Sequence, residues 1–314
     1  ILRYLCITNI SMQQKMKVMK TFKTLTIAMG LLLALSFTSC QKEKAGIYSP
    51  KKKIQQIYFS WSDTEKEPFQ HWEWNGDQLS SITHYSDFDL KDDTWIEKFT
   101  YENNRVSRVD NYTNSEYITY AYDGDHLKSA TVFYRNAIAC TWEVSYEGDK
   151  ISKMAGTFYD NFKKDGAKLH LNPLSHLLPP AVCKKVAQCE QQMANQRHEE
   201  ETYTLAILLT WTDNNINKIV CTGDGEYMDF QLQYDDKNCP WYGFIGGLED
   251  YLINFTSGHT GFTKNNVTEI ILTEDNYVDT LRFAYQYDSD KYPVLQTMYY
   301  TDDPDDKGVL YFEY

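Results

Sequence analysis

Residues 117–134 read Tyr-Ile-Thr-Tyr-Ala-Tyr-Asp-Gly-Asp-His-Leu-Lys-Ser-Ala-Thr-Val-Phe-Tyr. Tyr117–Tyr122 and Thr131–Tyr134 are built of aromatic and β-branched residues, which fit a pleated, half-buried surface. Between them Asp123-Gly124 supplies the positive φ that a tight hairpin turn demands. The stretch is one hairpin, two antiparallel strands joined at a short corner.

The same pattern recurs along the chain: an aromatic, two or three turn-forming residues, then apolar positions five and eight places on. Trp74 leads to Leu79 and Ile82, Tyr101 to Val106 and Val109, and Tyr122 to Leu127 and Ala130. Tyr146 leads to Ile151 and Met154, Trp211 to Ile216 and Ile219, and Phe262 to Val267 and Ile270. Looser copies begin at Tyr234 and Tyr287. Successive aromatics are separated by 27, 21, 24, 65, 23, 28 and 25 residues. Eight units of two strands each predict on the order of 14–16 strands in sequence order, an antiparallel meander. Twist accumulates in a sheet that long, so it must curl strongly or close into a barrel. The fold class expected is therefore all-β, over a single repeat-built domain at residues 54–314.

The one long interval marks an interruption. Pro173, Pro179 and Pro180 break the chain, and Val182, Val186, Cys189 and Met193 then recur at helical spacing. This predicts an amphipathic helix over Ala181–Arg197, within an insertion near 174–200.

At the other end of the argument stands the leader. Lys17, Lys20 and Lys23 precede an apolar run from Leu25 to Phe37, and the small residues Thr38-Ser39 come before Cys40. The order is that of a secretory signal peptide over residues 1–39, with 1–15 read as upstream over-extension before Met16. The apolar run falls short of the roughly 20 residues a spanning helix needs. Leu35-Ser36-Phe37-Thr38-Ser39-Cys40 resembles a lipobox, which implies acylation of Cys40 and membrane attachment through lipid. Gln41-Lys42-Glu43-Lys44 resembles the short charged export signal of Bacteroidetes surface lipoproteins. Residues 40–53 then read as a lipidated, flexible tether. The expected location is the outer membrane, at the cell surface or on the periplasmic face.

Net charge is −13, and the only charged residues before Cys40 are basic, so the exported part is more acidic still. An acidic domain repels phosphate backbones, which argues against nucleic acid as a partner. Beyond Cys6 and Cys40 five cysteines remain, Cys140, Cys183, Cys189, Cys221 and Cys239, an odd number without a disulfide framework.

Several runs resemble a known family. Tyr234-Asp235-Asp236-Lys237-Asn238-Cys239-Pro240-Trp241-Tyr242-Gly243, Asn265-Asn266-Val267 and Tyr285–Val294 are similar to signatures of an uncharacterised Bacteroidetes lipoprotein family. The aromatic-Asp-Gly units also resemble the tyrosine-aspartate repeats of bacterial exported proteins. What the resemblance implies is a porin-like β fold; it brings no catalytic residues. An outer-membrane barrel channel is one reading of that likeness. Mean hydropathy of −0.56 and charges at Lys128, Arg135, Glu143 and Arg282 inside candidate strands oppose it.

Catalytic kits are missing from the sequence. It holds no Gly-x-Ser-x-Gly elbow, no phosphate loop and no His-Glu-x-x-His, and its seven histidines show no paired metal spacing. Asp302-Asp303-Pro304-Asp305-Asp306 lacks the alternation of a calcium loop. Forty-four acids make any carboxylate pair available, so none is nominated for glycoside hydrolysis. No catalytic, cofactor or metal residue is assigned, and Cys40 is the single site residue. Trp61, Trp72, Trp74, Trp95, Trp142, Trp211 and Trp241 remain as sugar or peptide platforms or as packing for a curled sheet. The reading favoured is a non-enzymatic lipoprotein that binds a glycan or a protein. An exported hydrolase with carboxylates assembled by the fold, and a channel, are the alternatives.

Overall fold

A computed structural model describes residues 44–61, 65–85, 94–111, 115–159, 202–223, 226–245, 261–274, 277–300 and 307–314. They belong to one compact unit, Lys44–Tyr314. The leader, Cys40 and the helix expected near 174–200 lie outside these residues; among the described residues there is no helix.

Sixteen antiparallel strands close into a barrel. In chain order they are β1 (Gln56–Trp61), β2 (Glu67–Asn75), β3 (Gln78–His84), β4 (Trp95–Glu102), β5 (Arg105–Asn111), β6 (Glu116–Asp123), β7 (His126–Tyr134) and β8 (Ala137–Glu147). There follow β9 (Lys150–Tyr159), β10 (Thr202–Thr212), β11 (Asn215–Gly223), β12 (Glu226–Tyr234), β13 (Val267–Glu274), β14 (Tyr277–Tyr287), β15 (Pro293–Tyr300) and β16 (Lys307–Glu313). Each pairs with its neighbours in sequence, and β1 pairs with β16 from Gln56↔Glu313 to Trp61↔Gly308. The meander is thus complete and has no free edge.

The corners follow local chemistry. Gly124 turns with φ of 56°, a conformation that costs glycine nothing. The β4–β5 corner has no glycine, and Asn103 and Asn104 take φ of 51° and 63° instead, as a two-residue hairpin turn requires. These short corners gather at one end of the barrel, the turn rim. The connections β1–β2, β3–β4, β5–β6 and β9–β10 lie at the other, the far rim.

Alternation sorts the side chains between two faces. Inward residues from all sixteen strands, among them Ile57, Trp72, Val109, Ile207, Phe230 and Leu310, form one buried apolar cluster. The outward face is polar and charged in mid-strand: Lys98 and Lys153 are exposed, Lys218 pairs with Asp229 at 2.5 Å, and Arg282 with Glu269 at 3.0 Å. Round barrels of this strand number in porins enclose an aqueous lumen. Here the inward side chains are packed against protein.

Two segments help fill the turn rim. After β12 the chain does not turn at once. Phe244 reaches Trp72 (ring centroids 5.2 Å) and Phe99 of β4 (5.9 Å), which stands eight strands round the ring from β12. Trp241 meets Phe312 edge-on at 5.3 Å. Residues 44–53, expected as part of the tether, and residues 54–55 after them are held to the barrel. Val106 N donates to the Gly46 carbonyl, Ala45 N to that of Asp125 and Gln55 N to that of Glu313. Tyr48 is buried and donates its hydroxyl to the Pro240 carbonyl at 2.6 Å.

The recurrent aromatics have a shared job. In hairpin after hairpin the ladder slips by one residue immediately before the aromatic, at Trp74, Tyr101, Tyr122, Tyr146, Trp211 and Tyr234. Such a bulge re-aims the side chain, and its polar tip donates to a carbonyl of the preceding hairpin or, for Trp74, of the segment just before β1. Tyr101 bonds Leu79 O at 2.9 Å, Tyr122 bonds Val106 O at 2.7 Å, Tyr146 bonds Leu127 O at 3.1 Å and Tyr234 bonds Ile216 O at 2.7 Å. Trp211 Nε1 bonds Ile151 O at 2.7 Å, and Trp74 Nε1 bonds Ile54 O at 2.8 Å. Tyr285 to Val267 O and Tyr314 to Pro293 O complete the circuit.

One expectation is corrected. Phe262 starts no hairpin, because Tyr234 and Phe262 flank a single long β12–β13 connection. The β14–β15 ladder slips immediately before Tyr287, as at the other recurrent aromatics, while the carbonyl tie of that strand is made by Tyr285, and the Tyr287 hydroxyl donates to the Asp235 carboxylate.

Candidate functional site: a buried polar belt under the far rim

Five adjacent strands carry polar side chains into the apolar interior at one level. Gln70 stands opposite His84, His84 opposite Trp95, Glu97 opposite Asn111, and Asn111 opposite Glu116. Strand alternation puts these residues in phase with the buried Trp72, Ile82, Phe99, Val109 and Ile118. Relative exposure is 0% for Glu97, 1% for His84 and Glu116, and 2% for Asn111. Burying such groups is costly unless they are hydrogen-bonded, so their connections matter.

The connections run one way. Trp72 Nε1 can only donate, and it donates to Gln70 Oε1 at 3.0 Å. That fixes the Gln70 amide, whose Nε2 faces His84 Nδ1 at 3.4 Å. Nδ1 must then accept, which leaves the imidazole proton on Nε2, 3.4 Å from Glu97 Oε2. The two outer contacts are long, and the chain Trp72 → Gln70 → His84 → Glu97 ends on the carboxyl. The Trp95 indole lies flat on the His84 ring, with centroids 5.1 Å apart and planes 6° apart. Glu97 Oε1 and Trp95 Nε1, on the same face of β4, make no hydrogen bond.

Chemically the belt offers an imidazole held in one tautomer, a carboxyl with one occupied oxygen, and a second carboxyl two strands away. Among the described residues no group of three or more His, Cys, Asp or Glu side chains is disposed to hold a metal.

The sequence-level candidates are distributed otherwise. Cys40 is outside the described residues, as are His170, His176, His198, His259, Cys183, Cys189 and the 302–306 acids. Trp72, Trp142 and Trp241 are core side chains, and Trp74 and Trp211 tie hairpins together. Cys140, Cys221 and Cys239 are buried thiols. His84, Glu97, Asn111 and Glu116 were not singled out by sequence. The available signal was phase: an acid at Glu97 shares the alternation of Trp95 and Phe99.

No family model matches the chain, and no curated protein does. Among solved structures the chain is similar to a porin-like protein from Bacteroides uniformis ATCC 8492, at 10% identity and a TM-score of 0.49, over 84% of this chain and 98% of that one. It is also similar to a porin-like protein from Bacteroides vulgatus ATCC 8482, at 10% identity and a TM-score of 0.33, over 83% and 98%.

Proposed function

We propose that the chain is an exported lipoprotein, attached to the outer membrane through acylated Cys40, whose barrel stays out of the bilayer and binds a glycan or protein ligand without catalysis. One observation carries this reading, the polarity of the two barrel faces. A spanning barrel needs an outward apolar band, and a lysine or arginine on it costs about 2–4 kcal/mol at the bilayer midplane. Lys98, Lys153, Lys218 and Arg282 all point outward from mid-strand, while the apolar residues are inside. A barrel of that polarity is at home in water and needs another means of attachment, which Cys40 provides.

The test is carbonate extraction of the exported chain. Wild-type protein stays with the membrane pellet, and Cys40→Ala moves to the supernatant. A Cys40→Ala protein that remains in the pellet and conducts ions in a planar bilayer would establish the channel instead.

A second reading, a glycosidase-like hydrolase, draws on Glu97 and Glu116. Both face inward with Asn111 opposite each, so their backbones lie two strand spacings apart, roughly 10 Å. Turnover of nitrophenyl glycosides that disappears in both Glu97→Gln and Glu116→Gln would support it.

A further inference from the structure

We infer that the outer wall of β6 and β7, with the start of β8, is the face that lies against an anionic bilayer surface. The inference rests on the lipid attachment proposed above and adds which side of the barrel meets the membrane.

The tether limits where the lipid can be. Ala45 N donates to the Asp125 carbonyl at 3.0 Å, Lys44 pairs with the Asp125 carboxylate at 3.5 Å, and Val106 N donates to the Gly46 carbonyl. The chain is thus pinned at the β6–β7 corner. Cys40 lies four residues before Lys44, a reach of at most about 14 Å. The strands that run from that corner are β6 and β7, and the nine residues of β7 cover about 30 Å.

Their outer wall suits headgroups. Thr119, Ala121, Ser129 and Thr131 are uncharged, and Lys128 near the corner is exposed and basic. Toward the far rim Asp110, Tyr117, Phe133 and Ile138 are successive ladder partners across four strands. Tyr117 and Phe133 stack with centroids 4.5 Å apart and planes 12° apart, and Ile138 is 43% exposed. The Arg108 guanidinium covers Tyr117 at 3.7 Å and also holds Asp110, while Arg135 stands 5.0 Å from the Tyr134 ring. Rings and an aliphatic side chain beside arginines fit the boundary of acyl chains and phosphates.

Charge selects this side over others. Approached end-on, the turn rim offers Glu102, Asp123, Glu147, Asp149 and Asp213, all exposed, which anionic headgroups repel. The exposed Leu208, Tyr227 and Val278 of β10, β12 and β14 have the Lys218–Asp229 pair among them and no tether at their corners.

The experiment places the exported full chain in vesicles of phosphatidylcholine and phosphatidylglycerol that contain headgroup-spin-labelled lipid. Cys183→Ser and Cys189→Ser leave the buried Cys140, Cys221 and Cys239. A fluorophore then goes on Ala137→Cys or, seven strands round the ring, on Thr297→Cys. We expect strong quenching at 137 and none at 297. Arg135→Glu with Ile138→Glu, both exposed positions, should abolish the quenching at 137 while the chain still pellets with the vesicles through its lipid. Pelleted chain quenched at neither position, or at both alike, overturns the inference, and so does quenching at 137 that survives the double substitution. Pelleting reads the anchor separately. A chain that stays in the supernatant fails the lipoprotein reading and this inference with it, whereas a pelleted chain without selective quenching fails this inference alone.

Discussion

The Tyr234 hydroxyl donates to the Ile216 carbonyl at 2.7 Å, across a gap of 18 residues and from one hairpin to the one before it. Tyr285 does the same to Val267 at 2.7 Å, also 18 residues back. The barrel is therefore laced twice, once by its ladders and again by side chains that bond outside their own hairpins.

Each lace should have a measurable and independent worth. Tyr101→Phe and Tyr285→Phe each remove one hydroxyl from a buried carbonyl partner, on strands six apart round the ring. We expect a loss of about 1 kcal/mol for each, and near-additivity in the double variant because the sites share no partner. Urea denaturation midpoints at unchanged slope are the measurement; a double variant no weaker than either single one would deny the lacing its independence.

High pH should unlace the barrel. Burial pushes the Tyr101 and Tyr146 hydroxyls up to about 12, and raises Tyr48, Tyr120 and Tyr285 well above the ordinary value. The folded state therefore holds protons that the unfolded chain releases near pH 10, and stability present below pH 10 is lost as pH climbs toward the folded values. Tyrosinate absorbance and far-ultraviolet ellipticity followed together should change in one step. Ionisation of these tyrosines with the sheet intact would contradict that.

Small residues under large ones are the next test. A Cβ on Gly156 would stand 2.8 Å from Trp142 Cη2 and Cζ3 and 2.9 Å from Phe158 Cε2. Both rings are buried, so neither can swing aside freely. Gly156→Ala should cost about 1–3 kcal/mol by overpacking, read as a lowered melting temperature. Gly46→Ala should also destabilise, since its φ is +80° and its Cβ would collide with the Tyr122 ring.

The belt makes a spectroscopic prediction. If Gln70 donates to His84 Nδ1, the neutral ring carries its proton on Nε2. Nitrogen-15 shifts of His84 at neutral pH should show an unprotonated Nδ1, and Gln70→Leu should erase that preference. A proton on Nδ1 in the wild type would reverse the direction of the whole chain.

Much of this architecture could be read from residue patterns, because hairpins advertise themselves locally. Corners such as Asp123-Gly124 and Asn103-Asn104 state their backbone need, and apolar positions five and eight after the aromatic mark the inward phase, as Leu79 and Ile82 do. What escaped was non-local. Phe262 mimics the pattern only because a long connection brings Val267 and Ile270 into place behind it, when their aromatic partner in the hairpin is Tyr234. Six of the recurrent aromatics are chosen for a polar tip as well as a ring, and the carbonyl each one meets lies outside its own hairpin. The belt is harder still: His84, Glu97, Asn111 and Glu116 lie on four strands, and only the ladder register sets Glu97, Asn111 and Glu116 opposite one another, with His84 opposite Trp95 two positions along β4.

Pairing of Gln56 with Glu313 means that the first strand waits for the last. Some 250 residues must leave the ribosome before β16 can seal the seam, and until then two raw margins of N–H and C=O groups invite adhesion to any neighbour. A nonsense codon that removed just residues 307–314 would leave nearly every hairpin intact and still yield a sticky, aggregating product.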